Sequence, residues 1–167
     1  EPAADADLSP LGHCDITVQQ TFKPAFDVFE AQNFDVTEDA NAPADIVHVT
    51  LPRSRELARG LIAKAEKLAA GGTVKVDGAK TDGADAMLKA VKSRVEVAGQ
   101  VSKAHGKLFW FAANDSFRDW ALPEPAPVTD GWITQPGVFS ADGPDAGSIA
   151  LVSAIPHGVP QVRWIGL

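Results

Sequence analysis

The chain has 167 residues, of which 45% are hydrophobic, a net charge of -7 at pH 7 and a single cysteine, Cys14. A chain of this length buries a sizeable core, so neither a disulfide scaffold nor a small metal-stapled fold is needed. One cysteine cannot form an internal disulfide, no Cys/His cluster has zinc-ligand spacing, and no apolar run approaches the roughly 18 residues that cross a bilayer. We therefore expect a cytoplasmic protein with no metal site and no membrane contact.

The charge is distributed unevenly along the chain. Residues 53–107 hold 12 of the 15 Lys and Arg but 6 of the 22 Asp and Glu, so this segment carries about +6 and the remainder about -13. One basic face on an acidic protein is typical of contact with an anionic partner. Solvated helix surfaces produce the same pattern, and both interpretations stay open.

The first part of the chain predicts a strand-helix-strand unit. Residues 1–12 have no periodicity and predict a disordered lead-in. Alternation of apolar and polar residues predicts a strand over 15–20. Pro24 suits the first turn of a helix over 24–32, and a brief strand follows at 34–37.

The stretch from Asp45 to Gly78 predicts a second unit of the same kind. Ile46 to Leu51 is a β-branched strand, and Ser54 is a suitable N-cap for the helix that follows. Apolar residues then recur at helical spacing, at Leu57, Leu61, Ile62, Ala65 and Leu68. A second strand, Thr73 to Val76, implies parallel pairing with a right-handed crossover.

After a turn that begins at Gly78, the pattern predicts a helix over 84–94. Two strands, 96–103 and 107–113, are joined by residues 104–106 and predict an antiparallel hairpin. Within it, the apolar run 108–111 is expected in the core. The chain therefore predicts an α/β fold that ends in a hairpin.

From Asn114 onward the composition of the sequence changes. Pro123, Pro125 and Pro127 predict a linker. Beyond it we expect a strand at 132–134, a turn at Pro136-Gly137, an apolar helix over 146–154 and a last strand over 161–165. This tail is too small to fold alone, so it is expected to dock elsewhere.

Arginines surround the start of the central helix. Arg53, Arg55 and Arg59 oppose the helix dipole, so local stability does not explain them. Contact with a phosphate group would explain them, although long exposed side chains can also simply point into water. His48, inside a strand, is interpreted as a sheet-face or core histidine and not as a catalyst.

Recognisable catalytic motifs are missing from the sequence. No G-x-G-x-x-G loop follows a strand, so no dinucleotide site is marked. Ser140 with Asp142 or Asp145 lacks the nucleophile elbow of a hydrolase triad. On motifs alone, this chain is not a complete enzyme.

Two segments together resemble the two-domain bacterial rRNA guanine-N2 methyltransferases that act on 16S rRNA. Residues 44–95, ADIVHVTLPRSRELARGLIAKAEKLAAGGTVKVDGAKTDGADAMLKAVKSRV, resemble the N-terminal domain of these enzymes. Residues 129–156, TDGWITQPGVFSADGPDAGSIALVSAIP, resemble the segment that leads into their catalytic domain. The residues that match this second motif are Pro136, Gly137, Val138, Phe139, Ser140, Asp145 and Gly147.

In that family each half has a methyltransferase-like α/β fold, and only the C-terminal half binds S-adenosylmethionine and the target base. The resemblance implies a Rossmann-like methyltransferase-type sheet, mostly parallel with a C-terminal antiparallel hairpin, flanked by helices. It also implies four regions. They are a disordered lead-in (1–12), a degenerate methyltransferase-like N-terminal domain (13–113), a Pro-rich linker (114–130) and the truncated start of a catalytic domain (131–167).

The family's next element is a strand that runs into an Asp-x-Gly-x-Gly cofactor loop. Val162 to Leu167 stands at that place, so we expect no cofactor site and no catalytic residue here, as in a truncated or frameshifted product. Leu51-Pro52-Arg53-Ser54 resembles a counterpart of the Asn-Pro-Pro-[Tyr/Phe] motif that clamps guanine. It lacks the Asn side chain that would accept an amine N–H.

The leading hypothesis is a non-catalytic N-terminal module of an S-adenosylmethionine-dependent rRNA methyltransferase, inactive alone, which supports folding and RNA binding. Its partners would be rRNA or the small ribosomal subunit and a catalytic C-terminal half. The alternative is an independent RNA- or protein-binding α/β module that uses Arg53, Arg55 and Arg59. A small standalone methyltransferase is a third reading, and the absence of any Gly-x-Gly argues against it. The sequence leaves the oligomeric state open.

Overall fold

Two strand-helix-strand units with parallel strands open the chain, as the spacing of the apolar residues predicts. They are seen in a computed structural model that describes residues 1–129 and 132–155. The units are β1 (Thr17–Gln19), α1 (Lys23–Ala31) and β2 (Asp35–Thr37), then β3 (Ile46–Thr50), α2 (Arg55–Leu68) and β4 (Thr73–Ala79). In each unit the two strands pair directly and in parallel.

An antiparallel hairpin completes the second sheet. Its elements are α3 (Ala84–Lys92), β5 (Gly99–Lys103) and β6 (Gly106–Ala112). β6 lies between β4 and β5 and is antiparallel to both, so the order is β3-β4-β6-β5. The connecting turn holds Ala104 and His105 in the left-handed region, with φ of 49° and 61°. The predicted α/β fold, with parallel strands, a C-terminal hairpin and flanking helices, is confirmed.

The two faces of this four-stranded sheet differ. Helices α2 and α3 pack on one face, where the buried side chains are Val49, Val74, Val76, Phe109 and Phe111. We call the other side the open face; it carries Ile46, His48, Lys75, Asp77, Val101, Lys103, Leu108 and Trp110. The prediction of a core run over 108–111 is right for two residues and wrong for Leu108 and Trp110, because successive side chains of a strand point to opposite faces.

Strand β4 is longer than predicted. It continues through Gly78 and Ala79, where the sequence predicts a turn, because both residues extend the ladder with β6. Glycine is needed at position 78, since a Cβ there would lie 2.8 Å from Cδ1 of Leu51. The chain then turns through a short 3₁₀ helix, Lys80–Asp82, and Gly83, whose φ of 80° is left-handed.

A buried carboxylate anchors the segment that follows β6. Glu66, on the inner side of α2, is 4% exposed. Its Oε1 accepts the N–H groups of Asn114 (3.1 Å) and Ser116 (3.0 Å), and its Oε2 accepts that of Phe117 (2.9 Å). Three charge-assisted hydrogen bonds compensate the burial of this carboxylate and fix the loop against the helix.

The anchored segment carries two aromatic residues into the core. Phe117 is fully buried beside Phe111, with ring centroids 5.4 Å apart, and Trp120 lies 4.6 Å from Phe117. The guanidinium groups of Arg59 and Arg94 lie over the Trp120 ring, at 5.0 and 4.8 Å from its centroid. Arg94 also donates to both carboxylate oxygens of Asp119. Residues 114–122 therefore pack against α2 and the core of the four-stranded sheet.

The chain divides into two compact units, residues 1–122 and 123–167. The second contains β7 (Ala126–Thr129), antiparallel to β8 (Trp132–Thr134), and α4 (Ala146–Ala154). The bounds of β8 and α4 are those predicted, and the predicted strand over 161–165 lies outside the described residues. The division into regions 1–12, 13–113, 114–130 and 131–167 stays a prediction. None of the described helices is long and apolar enough to cross a membrane.

Removing the carboxylate of Glu66 should destabilise the first unit. We expect Glu66→Ala to lower the free energy of unfolding by about 3 kcal/mol or more, because three N–H groups lose a charged acceptor. Glu66→Gln should cost less, since its amide oxygen still accepts. Urea denaturation followed by circular dichroism measures both.

The matched control is Glu56→Ala, on the exposed first turn of the same helix. Loss of its interaction with the helix dipole should cost less than about 1 kcal/mol. Equal losses in the Glu66 and Glu56 variants would contradict the anchoring role.

The pair between Arg94 and Asp119 makes stability depend on pH. The hydrogen bonds and charge of Arg94 lower the pKa of Asp119. Its contribution is therefore complete above the unfolded value of about 3.9 and is lost as the pH falls through the lower folded value. A carboxyl-carbon NMR titration should place the Asp119 pKa below the ordinary value. In Arg94→Met, which keeps an apolar chain near Trp120, the pKa should rise; an unchanged titration would exclude this origin.

Candidate functional site

The carboxyl end of β3 is the position where a catalytic clamp would lie in the family that the sequence resembles. Here the N–H of Leu51 donates to the Asp77 carbonyl at 2.7 Å, and the Leu51 side chain is 5% exposed. It packs on Gly78 of β4, which leaves no room for a Cβ there. Ser54 then starts α2, because its Oγ accepts the Leu57 N–H at 3.3 Å. The end of the strand is closed by an apolar side chain.

A small cleft of about 180 Å³ lies between the starts of α2 and α3. Arg53, Arg55 and Asp82 line it, together with small side chains of α3. Nε of Arg53 is 3.7 Å from Oδ1 of Asp82, while the Arg53 side chain is 90% exposed. A pair this exposed contributes little to stability. The cleft therefore presents two arginines to solvent, opposed by one carboxylate.

Arg59 is separated from the other two predicted arginines. Its guanidinium lies over the Trp120 ring, and its Nε is buried without a hydrogen-bond partner among the described residues. The structure thus brings Arg53 and Arg55 together on one cleft and uses Arg59 in packing. The sequence pattern around the helix start does not distinguish these two roles.

The carboxyl ends of β1 and β2 are joined by internal pairs. Nζ of Lys64, on α2, donates to Gln19 Oε1 at 2.9 Å and also pairs with the Asp39 carboxylate. Hydrogen bonds from Lys64 and then Asn41 lower the pKa of Asp39. Asp39, two residues beyond β2, is therefore paired with this protein's own lysine, although its side chain is 69% exposed.

His48 lies on the open face, on the sheet as predicted. It is exposed as a residue. Enough protein nevertheless surrounds its imidazole for desolvation to lower its pKa, an effect that Asp77 opposes and Lys75 reinforces. His48 is thus neutral at pH 7. Among the described residues, no group of three His, Cys, Asp or Glu could hold a metal ion.

The residues of the second motif form the approach to α4. Gly137 is left-handed, with φ of 98°, and Ser140 is as well, with φ of 54°. Asp145 is the N-cap, since its carboxylate accepts the N–H groups of Gly147 (2.9 Å) and Ser148 (3.4 Å). The remaining motif residues are Pro136, Val138, which is 44% exposed, and Phe139, which is 85% exposed. The motif therefore has a local capping role, and the described residues of this unit leave Phe139 exposed.

Comparison with known proteins finds a likeness to a solved structure. No protein-family model and no curated protein matches the chain. Among solved structures, the fold is similar to that of the T. thermophilus 16S rRNA N2 G1207 methyltransferase (RsmC) in complex with AdoMet and guanosine, with 22% identity and a TM-score of 0.65. The similarity covers 88% of this chain and 44% of that enzyme. The chain has a methyltransferase-type fold and spans less than half the length of this neighbour.

Proposed function

We propose that the chain is the non-catalytic N-terminal module of an AdoMet-dependent rRNA guanine-N2 methyltransferase. It would support the folding of a catalytic C-terminal half and help that half to hold rRNA. Two observations support this role. The structural likeness to an rRNA methyltransferase extends over less than half of that enzyme, and the second motif resembles the segment that precedes the catalytic half.

The buried Leu51 side chain at the carboxyl end of β3 supports the proposal that this module is not itself catalytic. A clamp for a guanine amine needs a side-chain oxygen that accepts its N–H. Leu51 stands at that position, is buried, and fills the space over Gly78. A base at this position would meet the hydrocarbon side chain of Leu51 where the family motif supplies the acceptor of an Asn side chain.

The pairing at β1 and β2 supports the same conclusion for the cofactor. In open α/β sheets an acidic residue near the strand ends typically accepts hydrogen bonds from a ribose. Of the two acids that follow β2, Glu38 and Asp39, Asp39 is paired with Lys64. A ribose hydroxyl at Asp39 would compete with this lysine.

Calorimetric titration of AdoMet into the chain tests the absence of a cofactor site. We expect no saturable heat at micromolar ligand, because the sequence has no Gly-x-Gly loop through which the backbone could approach the cofactor. The T. thermophilus enzyme, titrated in the same buffer, is the positive control. A micromolar dissociation constant for this chain would overturn the proposal of an inactive module.

The origin of the chain is tested separately by its gene. Sequence downstream of Leu167, read in all frames, should encode an Asp-x-Gly-x-Gly loop followed by Asn-Pro-Pro-[Tyr/Phe]. Unrelated sequence in every frame would contradict a place in a two-domain methyltransferase.

A second candidate function is an independent RNA-binding module. The exposure of Arg53 and Arg55 at one cleft favours it, because Asp82 holds Arg53 only loosely, at 3.7 Å. If this cleft holds phosphate, Arg53→Ala and Arg55→Ala should each weaken RNA binding and reduce its dependence on salt concentration.

A further inference from the structure

The open face of the β3-β4-β6-β5 sheet is an exposed surface of mixed aromatic and basic character. Ile46 is 53% exposed and Val101 50% exposed, and His48 is exposed as well. The charged side chains on this face are Lys75, Lys103 and Asp77, and the amino group of Glu1 lies near enough to His48 to lower its pKa. The face is therefore exposed on its edge strands β3 and β5 and partly exposed at Lys75 and Trp110, and its side chains carry one excess positive charge.

One row of residues crosses all four strands. The registers pair His48 with Lys75, Lys75 with Trp110, and Trp110 with Gly99, so these four residues lie side by side on the open face. Neighbouring strands are about 4.8 Å apart, which places the His48 and Trp110 backbones roughly 10 Å apart with Lys75 between them. The row thus alternates aromatic, cation, aromatic.

Gly99 makes room for the Trp110 ring. A Cβ at position 99 would lie 2.2 Å from Cζ2 of Trp110, so the indole occupies the space that a side chain on β5 would fill. The ring is partly exposed and held on a strand rather than on a loop. An aromatic ring fixed in this way loses little conformational entropy when a ligand stacks on it.

The charged groups decide between two kinds of partner. Protein interfaces are depleted of Lys at their centres, and docking a second protein here would desolvate Lys75 and Asp77 together. Single-stranded RNA suits the row better, since bases stack on aromatic side chains and an ammonium group attracts the phosphates that link them. The neutral His48 ring adds a second stacking surface without a charge to desolvate.

We propose that His48, Lys75 and Trp110 form a binding surface for two successive bases of single-stranded RNA, with Lys75 beside the intervening phosphate. This surface is distinct from the arginine cleft at the start of α2. It extends the proposed function by naming the RNA element that the module holds. RNA binding is measured without AdoMet, so failure here and failure of the proposed methyltransferase role are distinguishable.

Fluorescence anisotropy with a labelled ten-nucleotide single-stranded RNA, titrated with the full chain at low salt, tests the proposal. We expect tighter binding than to a duplex of the same length. Trp110→Leu and His48→Ala should each weaken binding roughly 5- to 100-fold, the loss typical of one stacked base. Trp110→Phe, which retains an aromatic face, should bind within a few fold of the wild type. Lys75→Gln should reduce the salt slope by about 0.7.

Lys89→Gln, which removes an exposed cation of α3, is the matched control and should leave single-strand binding within about twofold. The double variant Arg53→Ala/Arg55→Ala tests the arginine cleft separately, and circular dichroism confirms that each variant is folded. Wild-type affinity in a folded Trp110→Leu variant would overturn the proposal, as would no detectable binding of single-stranded RNA by the wild type. Loss confined to the arginine double variant would place the contact on the cleft instead. Self-association that Trp110→Leu abolishes would mean that a second copy covers the open face, and would also overturn it.

Discussion

The first unit depends on one buried anion, the carboxylate of Glu66. A carboxylate that is 4% exposed is tolerated only when its oxygens accept hydrogen bonds. Here three backbone N–H groups of the loop 114–117 donate to them. The chain that leaves β6 is thereby pulled back across α2 instead of running into solvent. Phe117 and Trp120 follow it into the core. The interaction joins the end of the sheet to the helix that crosses between its parallel strands.

This anchoring also decides what the neighbouring cations do. Once Trp120 is fixed, Arg59 and Arg94 lie over its ring and Arg94 pairs with Asp119. On the helix-covered side, Lys107 pairs with Asp85, and Lys64 pairs with Asp39. Four of the 12 Lys and Arg in residues 53–107 are thus engaged in packing or internal pairs. A positive count in the sequence overstates the charge available to a partner.

Local signals in the sequence were sufficient for the elements whose causes are local. Helix spacing and the Ser54 cap place the start of α2, and the apolar run places α4 at its observed bounds, where the structure shows Asp145 as the N-cap. The role of Glu66 has no such signal, because its partners lie about fifty positions away and are backbone N–H groups. The extension of β4 through Gly78 is likewise not predictable from local sequence. Glycine is typical of turns, and only the proximity of Leu51 reveals a strand position that excludes a Cβ.

The same distinction between local signals and long-range contacts applies to the candidate sites. Four consecutive apolar residues, 108–111, do not show the alternation that would tell which side chains point to the core and which to the other face of the sheet. Only the sheet register separates the buried Phe109 from the partly exposed Trp110. The three arginines near α2 look equivalent in sequence, and the distant Trp120 separates Arg59 from them. At the carboxyl ends of the parallel strands, where open α/β sheets ordinarily bind their ligands, Leu51 is buried and Lys64 pairs with Asp39. The register, in contrast, places Lys75 between His48 and Trp110 on the open face, and this juxtaposition of one cation and two aromatic rings is the basis of the recognition surface that we propose.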